Sequence, residues 1–209
     1  MTSLRYADLA AMIRASTPRL GSIRLVAVDG PSGAGKSWFA DRLAQVLDCP
    51  VIHTDDLLNG WDDQFTFWDR LEGQVLGPLR RGEAAEYRRY LWHRGEFGGV
   101  PVRIEPAPVV LMEGVSSARR AIRAELSFTI FVTAPSDVRR RRALARDGDD
   151  SVAFRAYLER WRTREDEHFA AEGTAEFADV VVDGAGEHLP ATAGRGHDRL
   201  DDSGSGTDG

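Results

Sequence analysis

The chain has 209 residues, 42% of them hydrophobic, one cysteine and a formal net charge of −6. That length can bury a core large enough to fold without staples, and Cys49 alone cannot build a disulfide framework. No run of about 18 apolar residues is present to cross a bilayer, Met1 to Ser16 lacks the apolar heart of a secretion signal, and a pI near 5.4 argues against a general nucleic-acid binder. A soluble, cytoplasmic globular protein with no membrane or polymeric nucleic-acid partner is expected.

Leu4, Leu9, Met12 and Ile13 recur at helical spacing and predict an amphipathic helix over 4–16. Ile23 to Val28 is a short β-rich run that stops at Asp29-Gly30. Phe39, Leu43, Val46 and Leu47 mark a helix over 36–47, and Pro50 to His53 reads as a second strand. The stretch 55–107 holds four aromatics between 61 and 68 and a helix over about 69–82. It then loosens around Gly95, Gly98, Gly99, Pro101 and Pro106. Strands return at Val109 to Met112 and at Phe128 to Val132, followed by arginine-rich helices over 136–146 and 151–172 and a last strand, Asp179 to Val182.

Strands alternating with helices of this length form βαβ units, and strands this apolar fit a parallel sheet covered on both faces. The expected fold is therefore α/β, three layers around a parallel sheet, in a single domain over 1–184. From 185 onward glycine, aspartate, serine and threonine dominate, which predicts a disordered tail over 185–209.

Of the 27 basic residues, 26 are arginine, and the sole lysine is Lys36. Its slim ammonium fits where the planar guanidinium fork would clash. Lys36 lies within Gly30-Pro31-Ser32-Gly33-Ala34-Gly35-Lys36-Ser37, which matches G-x-x-x-x-G-K-[ST] without departure. Glycines at this spacing let successive backbone N–H groups of Gly30, Ser32, Gly33, Ala34 and Gly35 point inward at phosphate oxygens, helped by the N-terminal end of the following helix. Lys36 would reach the β- and γ-phosphates, and the Ser37 hydroxyl would hold Mg²⁺. The required context, a strand before and an amphipathic helix after, is present. A GTPase is disfavoured because its N-K-x-D element needs a second lysine, and the chain is short for a mechanical ATPase.

On the acceptor side, His53-Thr54-Asp55-Asp56 follows the second strand, at the carboxyl end where open α/β sheets bind ligands. A carboxylate there could accept the proton of an attacking hydroxyl; the alternative is a turn or cap. Glu113 ends the third strand and could bind a Mg²⁺-bound water or a substrate hydroxyl, or simply cap a helix. Arg142 and Arg146 share a helix face and could close over phosphates; a solvated face is the alternative. Trp61, Phe65, Phe67, Trp68, Tyr87, Tyr90 and Trp92 could line a pocket or stack on a base, or belong to the core.

The order of the GPSGAGKS loop, T-D-D, Y-x-W-H-R, M-E-G, R-x-x-x-R-D and A-D-V-V-V-D resembles the uridine kinase-like family of phosphate-loop kinases, over residues 21–184. The resemblance implies transfer of the γ-phosphoryl group of ATP, with Mg²⁺, to a hydroxyl of a nucleoside or similar small molecule. It implies Asp55 as the base with Asp56 as rival or helper, and Asp69 on ribose hydroxyls. Tyr90, His93 and Arg94 would serve acceptor recognition, and Arg142 and Arg146 a lid within 136–150. The segment 57–107 would form the acceptor site. The chain departs from the family at Leu57-Leu58, where an aromatic pair is usual, at the adjacent His93-Arg94, and at Gly148-Asp149-Asp150 in place of R-G-R. The resemblance therefore carries phosphoryl transfer and not the identity of the acceptor. The rival from another class is an ATP-binding regulatory switch with no acceptor.

Overall fold

The structure, a computed structural model, describes residues 4–147, 151–186 and 191–193. Helix α1 (Tyr6–Ala15) leads to strand β1 (Arg24–Asp29), helix α2 (Lys36–Leu47) and strand β2 (Val51–His53). A 3-10 turn (Thr54–Leu57) follows, then a helical stretch made of α3 (Trp68–Leu71), a π-type turn (Glu72–Leu76) and α4 (Gly77–Arg80). Next come strands β3 (Ala85–Leu91), β4 (Glu96–Ile104), β5 (Val109–Glu113) and β6 (Leu126–Thr133). Helices α5 (Ser136–Asp147), α6 (Val152–Glu172) and α7 (Thr174–Phe177) precede strands β7 (Val180–Asp183) and β8 (Ala191–Ala193).

The main sheet has the order β2-β5-β1-β6-β7-β8, parallel except for the edge strand β8. Its three layers follow from side-chain alternation along a strand. In β1, Leu25 and Ala27 point to one face and pack with Leu71, Leu76, Leu79 and Ile122. Val26 and Val28 point to the other and pack with Leu9 and Ile13 of α1 and Phe39 and Leu43 of α2. Both faces are thus apolar, which is why the central strands read as unbroken hydrophobic runs. Among the described residues no helix is long and apolar enough to cross a membrane.

Two departures from the sequence expectation stand out. The glycine- and proline-rich stretch forms a separate antiparallel hairpin, β3 against β4, with Tyr87 opposite Val102 and Tyr90 opposite Phe97. Pro101 is tolerated because each strand of a two-stranded ribbon is an edge, and the bulge between Arg88 and Tyr90 breaks the period-two pattern that would have announced β3. The second departure is β8, which lies inside the expected disordered tail yet pairs with β7, Ala193 opposite Val180. The rest of that tail beyond Gly186, and residues 148–150 of the expected lid, lie outside the described residues.

Candidate active site

The buried carboxylate of Asp29 at the end of β1 organises the phosphate loop. Its Oδ1 accepts the amides of Gly30 (2.7 Å) and Ser116 (3.0 Å), and its Oδ2 accepts that of Ala118 (2.8 Å). Burial raises its pKa to about 6, opposed by these N–H donors and by Lys36. One side chain thereby joins the loop entry to the turn that follows β5. Gly35, at φ 100°, is the N-cap of α2, a backbone state open to glycine at little cost. Lys36 is buried, and its Nζ donates to the Pro31 carbonyl across the loop at 3.2 Å.

Glu113, buried at the end of β5, is in register with Val28 of β1 and His53 of β2. Its Oε1 accepts from the Ser37 hydroxyl at 3.0 Å and lies 2.7 Å from His53 Nδ1. A hydroxyl and a carboxylate brought together beside a phosphate loop are the hard oxygen donors that suit Mg²⁺, so Ser37 and Glu113 fit that ion.

The hydrogen bond to Glu113 raises the pKa of His53 above its ordinary 6.5, against the effect of burial. The sign follows from linkage: attraction between protonated His53 and Glu113 is fully present below pH 6.5 and is lost as the pH rises through the raised folded value. We expect the His53 Cε1 resonance to titrate above 6.5 in NMR and to fall back toward that value in Glu113→Gln. An unchanged midpoint in the variant would remove Glu113 as the cause.

Asp55 and Asp56 sit on the 3-10 turn after β2 and face different neighbours. Asp55 lines the hollow of the phosphate loop together with Lys36, Ser37 and Glu113. Its carboxyl touches solvent, but the cleft walls disfavour its charge and raise its pKa. Glu113 adds to the rise, and Lys36 and Arg146 oppose it. Asp56 turns toward the hairpin, where its Oδ2 accepts from Arg89 Nε at 2.9 Å.

Helices α5 and α6 close the other side. Arg142 Nη1 donates to the carbonyls of Gly33 (3.2 Å) and Ala34 (3.4 Å), while Arg146 reaches the same hollow as Asp55. The Ser151 hydroxyl caps α6 by accepting the Phe154 amide, a contact worth about 1 kcal/mol. From that start Leu158, Trp161, Arg162 and Glu165 fall on neighbouring turns of one face. Glu165 is fully buried; it accepts the Ser32 amide (3.1 Å), the Ser32 hydroxyl and Trp161 Nε1 (2.7 Å). Sequence reasoning missed Glu165 and Trp161. Their spacing is legible, but a carboxylate on an apolar helix face gains meaning only when the loop is seen against it.

A cavity of about 390 Å³ opens beside the phosphate hollow, and the two share Ser32, Ser37, Asp55 and Arg146. Trp61 and Trp92 form part of its apolar wall, their rings 4.6 Å apart, and Trp61 meets Trp161 edge-on at 5.5 Å. A separate hollow on the far side of the loop is bordered by Trp38, Arg42, Arg142 and Gly184. Other candidates lie elsewhere. Phe67 and Tyr87 are core, Phe65 stacks on His168, and Trp68 donates to Ser116 Oγ at 3.1 Å. Tyr90 is buried behind Trp92. His93 and Arg94 are exposed in the hairpin turn, and Asp69 is exposed on α3; none of the three lines the 390 Å³ cavity.

A parallel sheet, a glycine loop leaving its central strand and a helix opened by lysine and serine define the phosphate-loop α/β fold. The chain shares this fold with a protein from Bacillus stearothermophilus described as a possible uridine kinase: TM-score 0.63, 20% identity, 84% of this chain and 96% of that one covered. It shares it also with a candidate fructose transport system kinase from Silicibacter sp. TM1040: TM-score 0.58, 20% identity, 76% and 89% covered. No protein-family model matches the chain, and no curated protein matches it.

Proposed function

We propose that the protein is a phosphotransferase that moves the γ-phosphoryl group of ATP to the hydroxyl of a small molecule. The observation that carries this reading is the shared wall of the two hollows: Ser37 and Asp55 belong both to the phosphate loop's hollow and to the aromatic-walled cavity. A donor phosphate and an acceptor alcohol would therefore meet at one carboxylate. Kinase-named neighbours of the same fold support the class.

In this reading the loop amides and Lys36 hold the phosphates, and Ser37 with Glu113 would hold Mg²⁺, which neutralises phosphate charge when bound. Asp55 orients the acceptor hydroxyl and takes its proton; its raised pKa brings it closer to neutral pH and makes it a better base. Asp56, engaged by Arg89, is a less suitable base than its neighbour. Arg146 faces the region where charge spreads over the transferring group. Arg142 secures the loop and borders the far hollow, where Trp38 offers an exposed ring for the donor's base. The acceptor is received by the segment 57–107 through Leu58, Trp61 and Trp92. Closure of α5 and α6 over the cavity keeps water from the γ-phosphate.

The test is ADP release from ATP and Mg²⁺ across a panel of nucleosides and small alcohols, with mass detection of the product and Lys36→Ala as blank. Acceptor-dependent ADP with a matching phosphorylated product is the expected result. Slow ADP release that no acceptor accelerates, in a panel covering both neutral and acidic alcohols, would favour a nucleotide switch instead.

A further inference from the structure

We propose that the acceptor carries an acidic group, a carboxylate or phosphate ester, on an apolar or aromatic body, and that Arg139 and Arg162 hold that group. The inference rests on the phosphotransferase reading and adds the chemical class of the substrate.

Charge within the cavity is the first argument. Among the described residues its lining carries three guanidinium groups, Arg139, Arg146 and Arg162, against one carboxylate, Asp55, with the buried Glu165 carboxylate 4.0 Å from Arg139 behind the wall. A recessed site with an excess of positive charge attracts an anion more strongly than the same charges would in open water. The second argument separates donor from acceptor. The phosphate hollow is bordered by Lys36, Arg142 and Arg146, and neither Arg139 nor Arg162 reaches it. Among the described residues these two guanidiniums line the acceptor cavity and not the phosphate hollow, which makes them surplus to the donor phosphates.

Both side chains are held in place. Arg139 Nε donates to the Ala134 carbonyl at 3.2 Å, and Arg162 Nη2 donates to the Ser136 carbonyl at 3.0 Å. Their side chains are only 12% and 15% exposed, so much of the ordering cost of two flexible arms is met before a ligand arrives. Arg139 Nη1 is buried without a hydrogen-bond acceptor. Its neighbouring carboxylate, Glu165 Oε2, lies 4.0 Å away and is already engaged by the Ser32 amide. Among the described residues, the carboxylate paired with Arg162 Nη1 is Glu159, at 3.8 Å, and it is 71% exposed and screened by solvent. A ligand acid group would supply the close acceptor that these long ion pairs, at 4.0 and 3.8 Å, do not.

The remaining wall defines the rest of the molecule. Leu58, Leu158, Trp61, Trp92 and Trp161 present apolar surface, with indole rings set for edge and face contacts. Among the described residues that line the cavity, Asp55 is the sole carboxylate. Asp69, the residue expected on ribose hydroxyls, is exposed on α3.

The test is direct binding to the 209-residue chain, read by quenching of tryptophan fluorescence and by calorimetry. Three ring-matched probes are compared: 4-(hydroxymethyl)benzoate, 4-(hydroxymethyl)phenyl phosphate and 4-(hydroxymethyl)benzamide. At least one acid should bind about tenfold or more tightly than the amide, as charge-assisted hydrogen bonds to two guanidiniums require. The preference should weaken at high salt and in Arg162→Gln, and return in part in Arg162→Lys; the ratio of the two acids names the group. Equal binding of acids and amide, or no saturable binding by any probe, overturns the proposal, whether or not the variants fold. ADP release is measured beside it. Acid preference without transfer from ATP to any alcohol would sink the phosphotransferase reading and leave the anion site standing. Transfer confined to neutral alcohols would do the reverse.

Discussion

Asp55→Asn is expected to lower acceptor-dependent turnover by about 10²- to 10⁴-fold, the range for loss of a positioned general base. The amide keeps the size of the side chain and removes its capacity to take a proton. Asp55 belongs to both hollows, and its pKa is raised above the ordinary carboxylate value, chiefly by burial and next by Glu113, which makes it a stronger base than a free aspartate. ATP affinity should stay level or rise, because the substitution deletes a negative charge near the phosphates. Low turnover with intact ATP binding therefore separates a chemical role from a collapsed loop. Asp56→Asn is the comparison: it loses an ion pair with Arg89 on the hairpin side, and turnover should fall by less than about tenfold. Turnover in Asp55→Asn within about threefold of the parent would contradict the assignment, since that corresponds to less than about 1 kcal/mol of barrier.

Gly30→Ala is expected to cost about 3 kcal/mol or more of stability, a loss in the range of severe core and backbone defects. Gly30 has φ 141°, a region that residues with a Cβ avoid, and an added Cβ would overlap the Val132 carbonyl of β6. That carbonyl is backbone in the middle of the sheet and cannot rotate away, so either β6 or the loop entry must shift. For a chain of this size the thermal midpoint should fall by about 6–12 °C. The control is Gly73→Ala, within the helical stretch and with nothing within 4 Å of the added atom. There the expected change is neutral to about 1 kcal/mol stabilising. Thermal and urea unfolding of the three proteins decides the matter, and a Gly30→Ala midpoint within about 2 °C of the parent, a change of under about 1 kcal/mol, would show the loop entry to be freer than its contacts imply.

Much of the site was legible where chemistry and local sequence coincide. The phosphate loop is a contiguous backbone device: eight residues carry the glycines, the lysine and the serine, and the strand before and helix after are visible in their periodicity. Glu113 was legible for a related reason, as a carboxylate ending an apolar strand, and the structure sets it beside Ser37. The hairpin was not legible. Its strands hide behind a bulge and a proline, and without knowing what covers one face, a short polar ribbon rich in glycine looks like loop. Trp92 lines the cavity, yet the adjoining His93 and Arg94 do not, because the turn points them outward.

Local sequence suffices for the α/β class, the phosphate loop and the strand-end position of the acidic residues, because each depends on neighbours in the chain or on a periodic pattern. What closes over them is set by the packing of distant elements. Glu165 meets Ser32 across 133 residues, and Arg139 and Arg162 reach one cavity from two helices. That packing also decides between adjacent carboxylates, turning Asp55 into the cleft and Asp56 toward Arg89. The reason is physical: backbone propensity and hydrophobic period act over a few residues, whereas which polar group finds a buried partner depends on how separate elements pack.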